Sequence, residues 1–161
     1  EDVERAHMRE AIALHTQVTG APPLGWYQGR TSPNTARLVV EEGCFLYDAD
    51  SYADDLPYYD RRYGKPQLIV PYTLDVNDMK FAALNGFTEG EQFFHYLRDT
   101  FDMLYQEGGR MMSVGLHCRL AGKPGRALAV ARFLEHVAAH ADVWVATRAD
   151  IARHWQKVHP A

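Results

Sequence analysis

The sequence predicts an α/β fold with mainly parallel strands, and three observations support this prediction. Segments of strand type alternate with segments of helix type, an order that produces parallel strands joined by right-handed crossovers. Segment 66–75 contains a continuous apolar run, which is typical of a strand buried on both faces. The 161 residues are 47% hydrophobic, which suits a single domain, residues 1–161, with a sizeable core.

Local signals place the individual elements. Segments with strand character lie at 23–27, 44–48, 66–75, 111–116 and 142–146. Segments with helix character lie at 1–19, 36–43, 88–108 and 126–140, and a final helix follows Thr147, its predicted N-cap. Two irregular stretches, 49–65 and 76–87, separate these elements, and long loops inside compact domains are usually functional.

Helical spacing predicts which face of each helix is buried. The expected faces carry His7, Ala11, Leu14 and Val18 in the first helix, Phe93, Leu97, Phe101 and Leu104 in the third, and Val130, Phe133, Leu134 and Val137 in the fourth. Thr88 and Glu91 have the spacing of a capping box, so we expect the third helix to begin there.

The chain opens directly on a helix, and a helix that begins an α/β chain usually follows a strand. We therefore expect a fragment, namely the later part of a (β/α) barrel whose first strands lie upstream. Five strands alone could also form an open sheet.

Composition narrows the function classes. A formal net charge of -4 with no basic block favours neither nucleic acid nor an anionic membrane as a partner. No apolar run approaches the ~20 residues that span a bilayer. Two cysteines, Cys44 and Cys118, form neither a disulfide framework nor a metal-binding motif, so we expect a cytoplasmic protein.

Ligands of parallel α/β folds gather at the carboxyl ends of the strands. The residues at those ends are Trp26, Tyr27, Arg30, Asp48, Asp50, Tyr72, Thr73, Asp75, Asn77, His117, Arg119, Arg126 and Arg148. His117 could donate a proton near neutral pH, and Arg30 could clamp a carboxylate. Residue type alone leaves each of them open to a structural role, which is the commoner one for a single histidine or arginine.

Four blocks carry a resemblance to a known family. "GWYQGRTSPNT" (25–35), "FLYDADSYADDLPYY" (45–59), "PQLIVPYTLDVNDMKF" (66–81) and "MMSVGLHCRLAGKPGR" (111–126) occur in the family's order. Together they resemble the polysaccharide deacetylase superfamily, carbohydrate esterase family 4. The first and fourth blocks resemble most its cofactor-independent allantoinase branch, which acts in purine catabolism. The resemblance implies a distorted (β/α) barrel with fewer strands than the eight of a TIM barrel.

The resemblance also implies roles for particular residues. Arg30 corresponds to the arginine that orients a catalytic carboxylate, and His117 to the late Leu-His motif that protonates the leaving nitrogen. The early aspartate pair and the early H-x-x-x-H metal motif of the family are absent. His136 and His140 have the H-x-x-x-H spacing but lie after the Leu-His motif, so we interpret them as helix surface.

The resulting hypothesis is a hydrolase that opens the ring of allantoin to give allantoate, with no metal site or cofactor of its own. Contacts to the substrate are expected from the residues Trp26, Tyr27, Asp75, Asn77, Arg119 and Arg126. We expect a homo-oligomer, with a tetramer among the candidate states, and a missing N-terminal barrel segment that supplies the catalytic base. Two alternatives stay open: a zinc-dependent or other metal-dependent N-deacetylase of polysaccharides or chitooligosaccharides, and a non-catalytic structural half.

Overall fold

The computed structural model describes residues 1–161 and confirms the α/β class. The chain forms two compact units, one from Glu1–Pro71 with Ala146–Ala161 and the other from Tyr72–Val145. The assignment of residues 1–161 to a single domain stays a prediction. None of the helices combines the length and the apolar character that a membrane span requires.

The helices agree in number with the prediction, whereas the strands are shorter and differently placed. The α-helices are α1 (Asp2–Thr19), α2 (Thr35–Glu42), α3 (Gly90–Glu107), α4 (Pro124–Ala138) and α5 (Arg148–Val158), and a 3-10 helix spans Asp78–Ala82. The strands are β1 (Gly25–Trp26), β2 (Tyr47–Asp48), β3 (Tyr58–Asp60) and β4 (Gln67–Ile69). Thr147 caps α5 as predicted, because its hydroxyl accepts the backbone N–H of Asp150.

The first unit contains a four-stranded sheet of order β1-β2-β4-β3. β1 pairs with β2 and β2 pairs with β4 in parallel, whereas β3 pairs with β4 in antiparallel orientation. β3 lies inside the segment that was predicted to be a polar loop. Its two tyrosines are good strand formers and pair with the fully buried β4, which outweighs the aspartates around them.

In the first unit, α1 packs on α2 through a face other than the predicted one. Met8 is buried against Leu38, Val39 and Phe45, and Ile12 packs beside it. The predicted stripe was wrong: its four residues, His7, Ala11, Leu14 and Val18, are all exposed. Residues 8 and 12 form the buried stripe because they lie on the face of α1 that meets the apolar side of α2.

The core of the second unit is the interface of α3 and α4. Phe93, Leu97 and Phe101 of α3 are buried as predicted, and they pack with Ala129 and Phe133 of α4. Leu134 was wrongly assigned to the buried face, since more than half of its surface is exposed (58%).

The predicted Thr88–Glu91 capping box does not form. The backbone N–H and the hydroxyl of Thr88 both donate to Oε1 of Gln92, one residue further along. Glu91 instead pairs with Arg132 and with His95. The Glu91 carboxylate, which the capping box would have used, therefore binds one partner in α4 and one in α3.

Two predicted strands, 111–116 and 142–146, are not strands. Residues 111–116 lie beside residues 72–78, but the two segments share only one parallel bridge, between Asn77 and Gly115. Earlier in both segments, side-chain hydroxyls accept the backbone N–H groups in place of carbonyls. The Thr73 N–H donates to Oγ of Ser113 (2.9 Å), and the Ser113 N–H donates to Oγ1 of Thr73 (3.1 Å). An apolar run predicts an extended segment, but a strand also needs a partner at ladder distance.

Candidate functional site

His117 and Asp78 form the best-defined polar pair of the second unit. His117 follows the bridge at Gly115, and its carbonyl accepts the N–H groups of Leu120 and Ala121 in the tight turn that follows. Asp78 is the first residue of the 3-10 helix, whose N-cap is Asn77. The bridge between Asn77 and Gly115 therefore brings the aspartate and the histidine to the same place.

The carboxylate of Asp78 is completely buried and accepts three hydrogen bonds. Oδ1 lies 2.6 Å from Nδ1 of His117, and Oδ2 accepts the N–H groups of His117 (2.7 Å) and Ala121 (3.0 Å). Because a carboxylate only accepts, Nδ1 of His117 carries the hydrogen and Nε2 is the ring atom left for chemistry. About a third of the His117 side chain (32%) is exposed, so the imidazole is both anchored and accessible.

This arrangement can deliver a proton. A buried carboxylate that holds the Nδ1–H of a histidine fixes its tautomer and stabilises the imidazolium from which Nε2 donates. The sequence prediction included His117 but missed Asp78, although both lie in the blocks that carry the resemblance. The sequence carries no signal that separates Asp78 from the other acids of the two irregular stretches.

The predicted substrate residues Asp75 and Asn77 both have partners within the second unit. Oδ2 of Asp75 accepts the hydroxyl of Tyr96 (2.8 Å). Asn77 caps the 3-10 helix by accepting the N–H of Met79, and its Nδ2 donates to the hydroxyl of Tyr72 (2.8 Å). These bonds orient the two side chains and leave one carboxylate oxygen and one amide hydrogen for a ligand.

Of the predicted arginines of the second unit, Arg119 lies in the turn after His117 and Arg126 lies in the first turn of α4. The guanidinium carbon of Arg126 is 4.2 Å from the ring centroid of Phe81, a cation–π contact. Nη2 of Arg119 is 3.8 Å from Sδ of Met79. Stacking on a ring occupies the flat face of a guanidinium and leaves its N–H edge available to an acceptor.

Arg30, Trp26 and Tyr27 belong to the first unit. Trp26 ends β1 and packs against Phe45, with ring centroids 5.4 Å apart, and its buried Nε1 has no hydrogen-bond partner in the structure. Tyr27 is about half exposed (48%), and Arg30 is exposed. Trp26 is therefore largely a core residue, whereas the side chains of Tyr27 and Arg30 are accessible.

Asp48, at the carboxyl end of β2, is the most perturbed acid of the first unit. It is almost completely buried, and this burial raises the pKa of its carboxyl to about 6, with a smaller contribution from the charge of Asp50. Oδ1 of Asp48 accepts the backbone N–H of Asp50 (2.9 Å), so the two residues form a single turn.

No group of three or more His, Cys, Asp or Glu side chains is arranged to hold an ion, whereas a catalytic zinc usually has three protein ligands. Nε2 of His136 lies 2.6 Å from Oδ1 of Asp102, and Nδ1 of His140 donates to the carbonyl of His136 (2.9 Å). The H-x-x-x-H pair thus contributes to the contact between α3 and α4.

Comparisons with known proteins agree with this fold. No family model matches the chain. A Schizosaccharomyces pombe protein named as a polysaccharide deacetylase is 41% identical over an alignment of 179 residues, which covers 99% of this chain and 56% of the relative. The crystal structure of Puue allantoinase matches with a TM-score of 0.96 at 56% identity, over 100% of this chain and 55% of that one. A probable polysaccharide deacetylase from Pseudomonas aeruginosa PAO1 matches with a TM-score of 0.95 at 55% identity, over 100% of this chain and 56% of that one.

These similarities confirm the resemblance and the fold expected from the four blocks. The chain is an α/β protein with a small, mostly parallel sheet that is not closed, and over its whole length it is similar to proteins named as polysaccharide deacetylases. It is also similar to Puue allantoinase. The names of these similar proteins, deacetylase and allantoinase, denote hydrolases of carbon–nitrogen bonds. The chain spans about half the length of these relatives (56% and 55%).

Proposed function

We propose that the full-length protein hydrolyses a cyclic amide, opening the ring of allantoin to give allantoate in purine catabolism. The observation that carries the proposal is the His117–Asp78 pair, an accessible imidazole anchored through Nδ1 by a buried carboxylate. The similarity to Puue allantoinase at 56% identity supports this choice of substrate.

The mechanism uses His117 as the general acid. Water adds to the ring carbonyl and loses its proton to a base, which we assign to a carboxylate outside this chain. When the tetrahedral intermediate collapses, the carbon–nitrogen bond breaks and Nε2 of His117 protonates the departing nitrogen. Asp78 stabilises the imidazolium before the transfer, and Arg30 orients the base through its guanidinium.

Substrate recognition belongs to the same proposal. The free N–H edge of Arg126 and the guanidinium of Arg119 would bind carbonyl oxygens of the ureido group or of the ring. The remaining acceptor of Asp75 and the remaining amide hydrogen of Asn77 would pair with ring and ureido N–H and C=O groups. Tyr27 and Trp26 stay proposed substrate contacts, and Tyr27 is the more accessible of the two. We place this enzyme in the cytoplasm as a homo-oligomer, with a tetramer among the states to be tested.

The test measures allantoin hydrolysis by the full-length protein, with and without a chelator. His117→Ala is expected to lower kcat by roughly 100- to 10,000-fold, the usual contribution of a general acid. His7→Ala, which removes an exposed histidine of α1, is the matched control and should retain full activity. Unchanged turnover in His117→Ala would remove this residue from the mechanism.

A metal-dependent N-deacetylase is the second candidate, because two of the similar proteins are named as polysaccharide deacetylases. That reaction needs a metal, and the donors of this chain alone do not provide a centre for it. This candidate would be favoured over the first if the protein releases acetate from a chitooligosaccharide only when zinc is added, and does not hydrolyse allantoin.

A further inference from the structure

The loop that carries Arg30, residues 28–35, is held at its first residues by Asp50. Oδ2 of Asp50 accepts the N–H of Gln28 (2.8 Å) and Oδ1 accepts the N–H of Gly29 (2.7 Å). Gly29 has a positive φ of 73° and lies so close to Tyr27 that a Cβ would be 3.2 Å from its hydroxyl oxygen. Both oxygens of one carboxylate thus fix the backbone immediately before Arg30.

The other end of the Arg30 loop is held by Glu4 of α1. The hydroxyl of Ser32 donates to Oε2 of Glu4 (2.6 Å), and the hydroxyl of Thr35 donates to Oε1. Each hydroxyl oxygen also accepts a backbone N–H of the loop, from Asn34 to Ser32 (3.0 Å) and from Ser32 to Thr35 (2.9 Å). Because each hydroxyl has only one hydrogen, the site needs a group with two acceptors, and a carboxylate provides them.

Glu4 is itself held in place by the packing of α1. Met8, one turn further along the helix, is buried against Leu38 and Val39 of α2. Arg5 forms an ion pair with Glu41 (2.6 Å) next to this contact. The two hydroxyl hydrogen bonds also lower the pKa of Glu4 below its ordinary value, which keeps the carboxylate charged at neutral pH.

The hydrogen bonds of Asp50 and Glu4 engage backbone and hydroxyl groups of the loop but not the guanidinium of Arg30. The carbonyl of Arg30 accepts Nε2 of Gln28 (3.1 Å), whereas its side chain is exposed. We propose that Glu4 and Asp50 are positioning residues for Arg30, which clamp the loop from its two ends so that the guanidinium presents one geometry to the catalytic base. The inference rests on the role of Arg30 in the proposed function.

The first measurement is hydrogen exchange in the full-length protein, which needs no substrate. Glu4→Gln retains the shape of the side chain but offers one acceptor to two hydroxyl donors, so exchange of the amides in 28–35 should accelerate. Asp50→Asn should act in the same way at Gln28 and Gly29. Glu10→Gln makes the same change at an exposed position of α1 and is the matched control. Unchanged exchange in both Glu4→Gln and Asp50→Asn would overturn the clamp.

The second measurement is a double-mutant cycle with Arg30→Ala. Glu4→Gln should lower kcat for allantoin by about 10- to 100-fold while KM changes little, since a small displacement of a positioning group costs that much. In the Arg30→Ala background the same change should alter kcat by less than about 2-fold, because there is no guanidinium left to position. An undiminished loss in that background would show that Glu4 acts on general stability and would overturn the inference.

The two proposals can fail separately. If the wild-type protein does not turn over allantoin, the proposed function fails, and the exchange of residues 28–35 alone then decides whether the loop is clamped. If allantoin is hydrolysed but the effects of Glu4→Gln and Arg30→Ala are additive, the function stands and the positioning role fails.

Discussion

The Nδ1 atom of His117 lies 2.6 Å from Oδ1 of Asp78, a carboxylate with no exposed surface. The second oxygen of the same carboxylate accepts the backbone N–H groups of His117 and Ala121. One side chain therefore fixes both the ring of the histidine and the turn that presents it.

Asp78→Asn tests whether His117 needs the Asp78 carboxylate, because this variant keeps the histidine but weakens the bonds that hold its ring and its turn. An amide offers one oxygen to three donors, so the buried site keeps unpaired N–H groups that cost roughly 1–3 kcal/mol. We expect a lower free energy of unfolding in urea and a kcat reduced by about 100- to 10,000-fold in the full-length protein. Asp99→Asn, an exposed acid of α3, is the control, and a wild-type kcat in Asp78→Asn would contradict the anchoring role.

Gly115→Ala should disturb the site through packing alone. A Cβ at this position would lie 2.1 Å from the hydroxyl oxygen of Tyr72 and 2.5 Å from Nδ2 of Asn77, which precedes Asp78. Overpacking of this kind costs about 1–3 kcal/mol, to be measured by urea denaturation. Gly125→Ala in α4 is the matched control: nothing lies within 4 Å of the added atom, so the variant should be at least as stable as the wild type. Equal stability of the two variants would contradict the close approach.

The effect of Asp48→Asn on the free energy of unfolding should depend on pH. Burial raises the pKa of Asp48 from its ordinary 3.8 to about 6, so between these values the folded state binds more protons than the unfolded state. The free energy of unfolding therefore falls as pH rises through this window, and the full penalty is present above about pH 6. The stability gained by Asp48→Asn should grow from about pH 4 to about pH 6 and then level off, at no more than roughly 3 kcal/mol. Asp55→Asn, an exposed loop acid, is the control, and a gain that does not change with pH would contradict the burial effect.

Met8→Ala and Leu14→Ala should distinguish the two faces of α1 in this chain. Met8 is 1% exposed and packs on α2, so its truncation should cost about 2–5 kcal/mol in thermal or urea unfolding. Leu14 is more than half exposed (53%), and its truncation should change the stability by no more than about 0.5 kcal/mol. A larger loss from Leu14→Ala than from Met8→Ala would support the face that the sequence predicted.

The helices could be predicted because their signals are local. Gly20, with a positive φ of 80°, ends α1, and the Thr147 hydroxyl caps α5, both within a few residues of the element that they bound. Segments 111–116 and 142–146 are apolar enough for strands, but pairing depends on residues far away in the chain. The same limit explains β3, whose partner β4 determines its conformation.

Only part of the candidate site could be predicted, again because the sequence shows local signals but not contacts between distant residues. The position of His117 after a strand-type segment, together with the four blocks, was enough to single it out. Asp78 could not be distinguished in the sequence from exposed acids such as Asp54 and Asp55, because its burial arises only when the 3-10 helix packs beside Gly115. Glu4 was hidden in the same way among the charged residues of a surface helix.

The reciprocal hydrogen bonds between Thr73 and Ser113 help to align segment 72–78 with segment 111–116, and they depend on the identity of two side chains. In a regular ladder the backbone provides these bonds, and almost any residue maintains them. At Thr73 and Ser113 two hydroxyl groups provide them, and only the bridge at Asn77 and Gly115 adds backbone bonds, so the register that leads to Asp78 and His117 depends in part on two side chains. A single nucleotide change at either codon can remove one of these bonds, so mutations at residues that do not contact His117 can still change the geometry of this proposed acid.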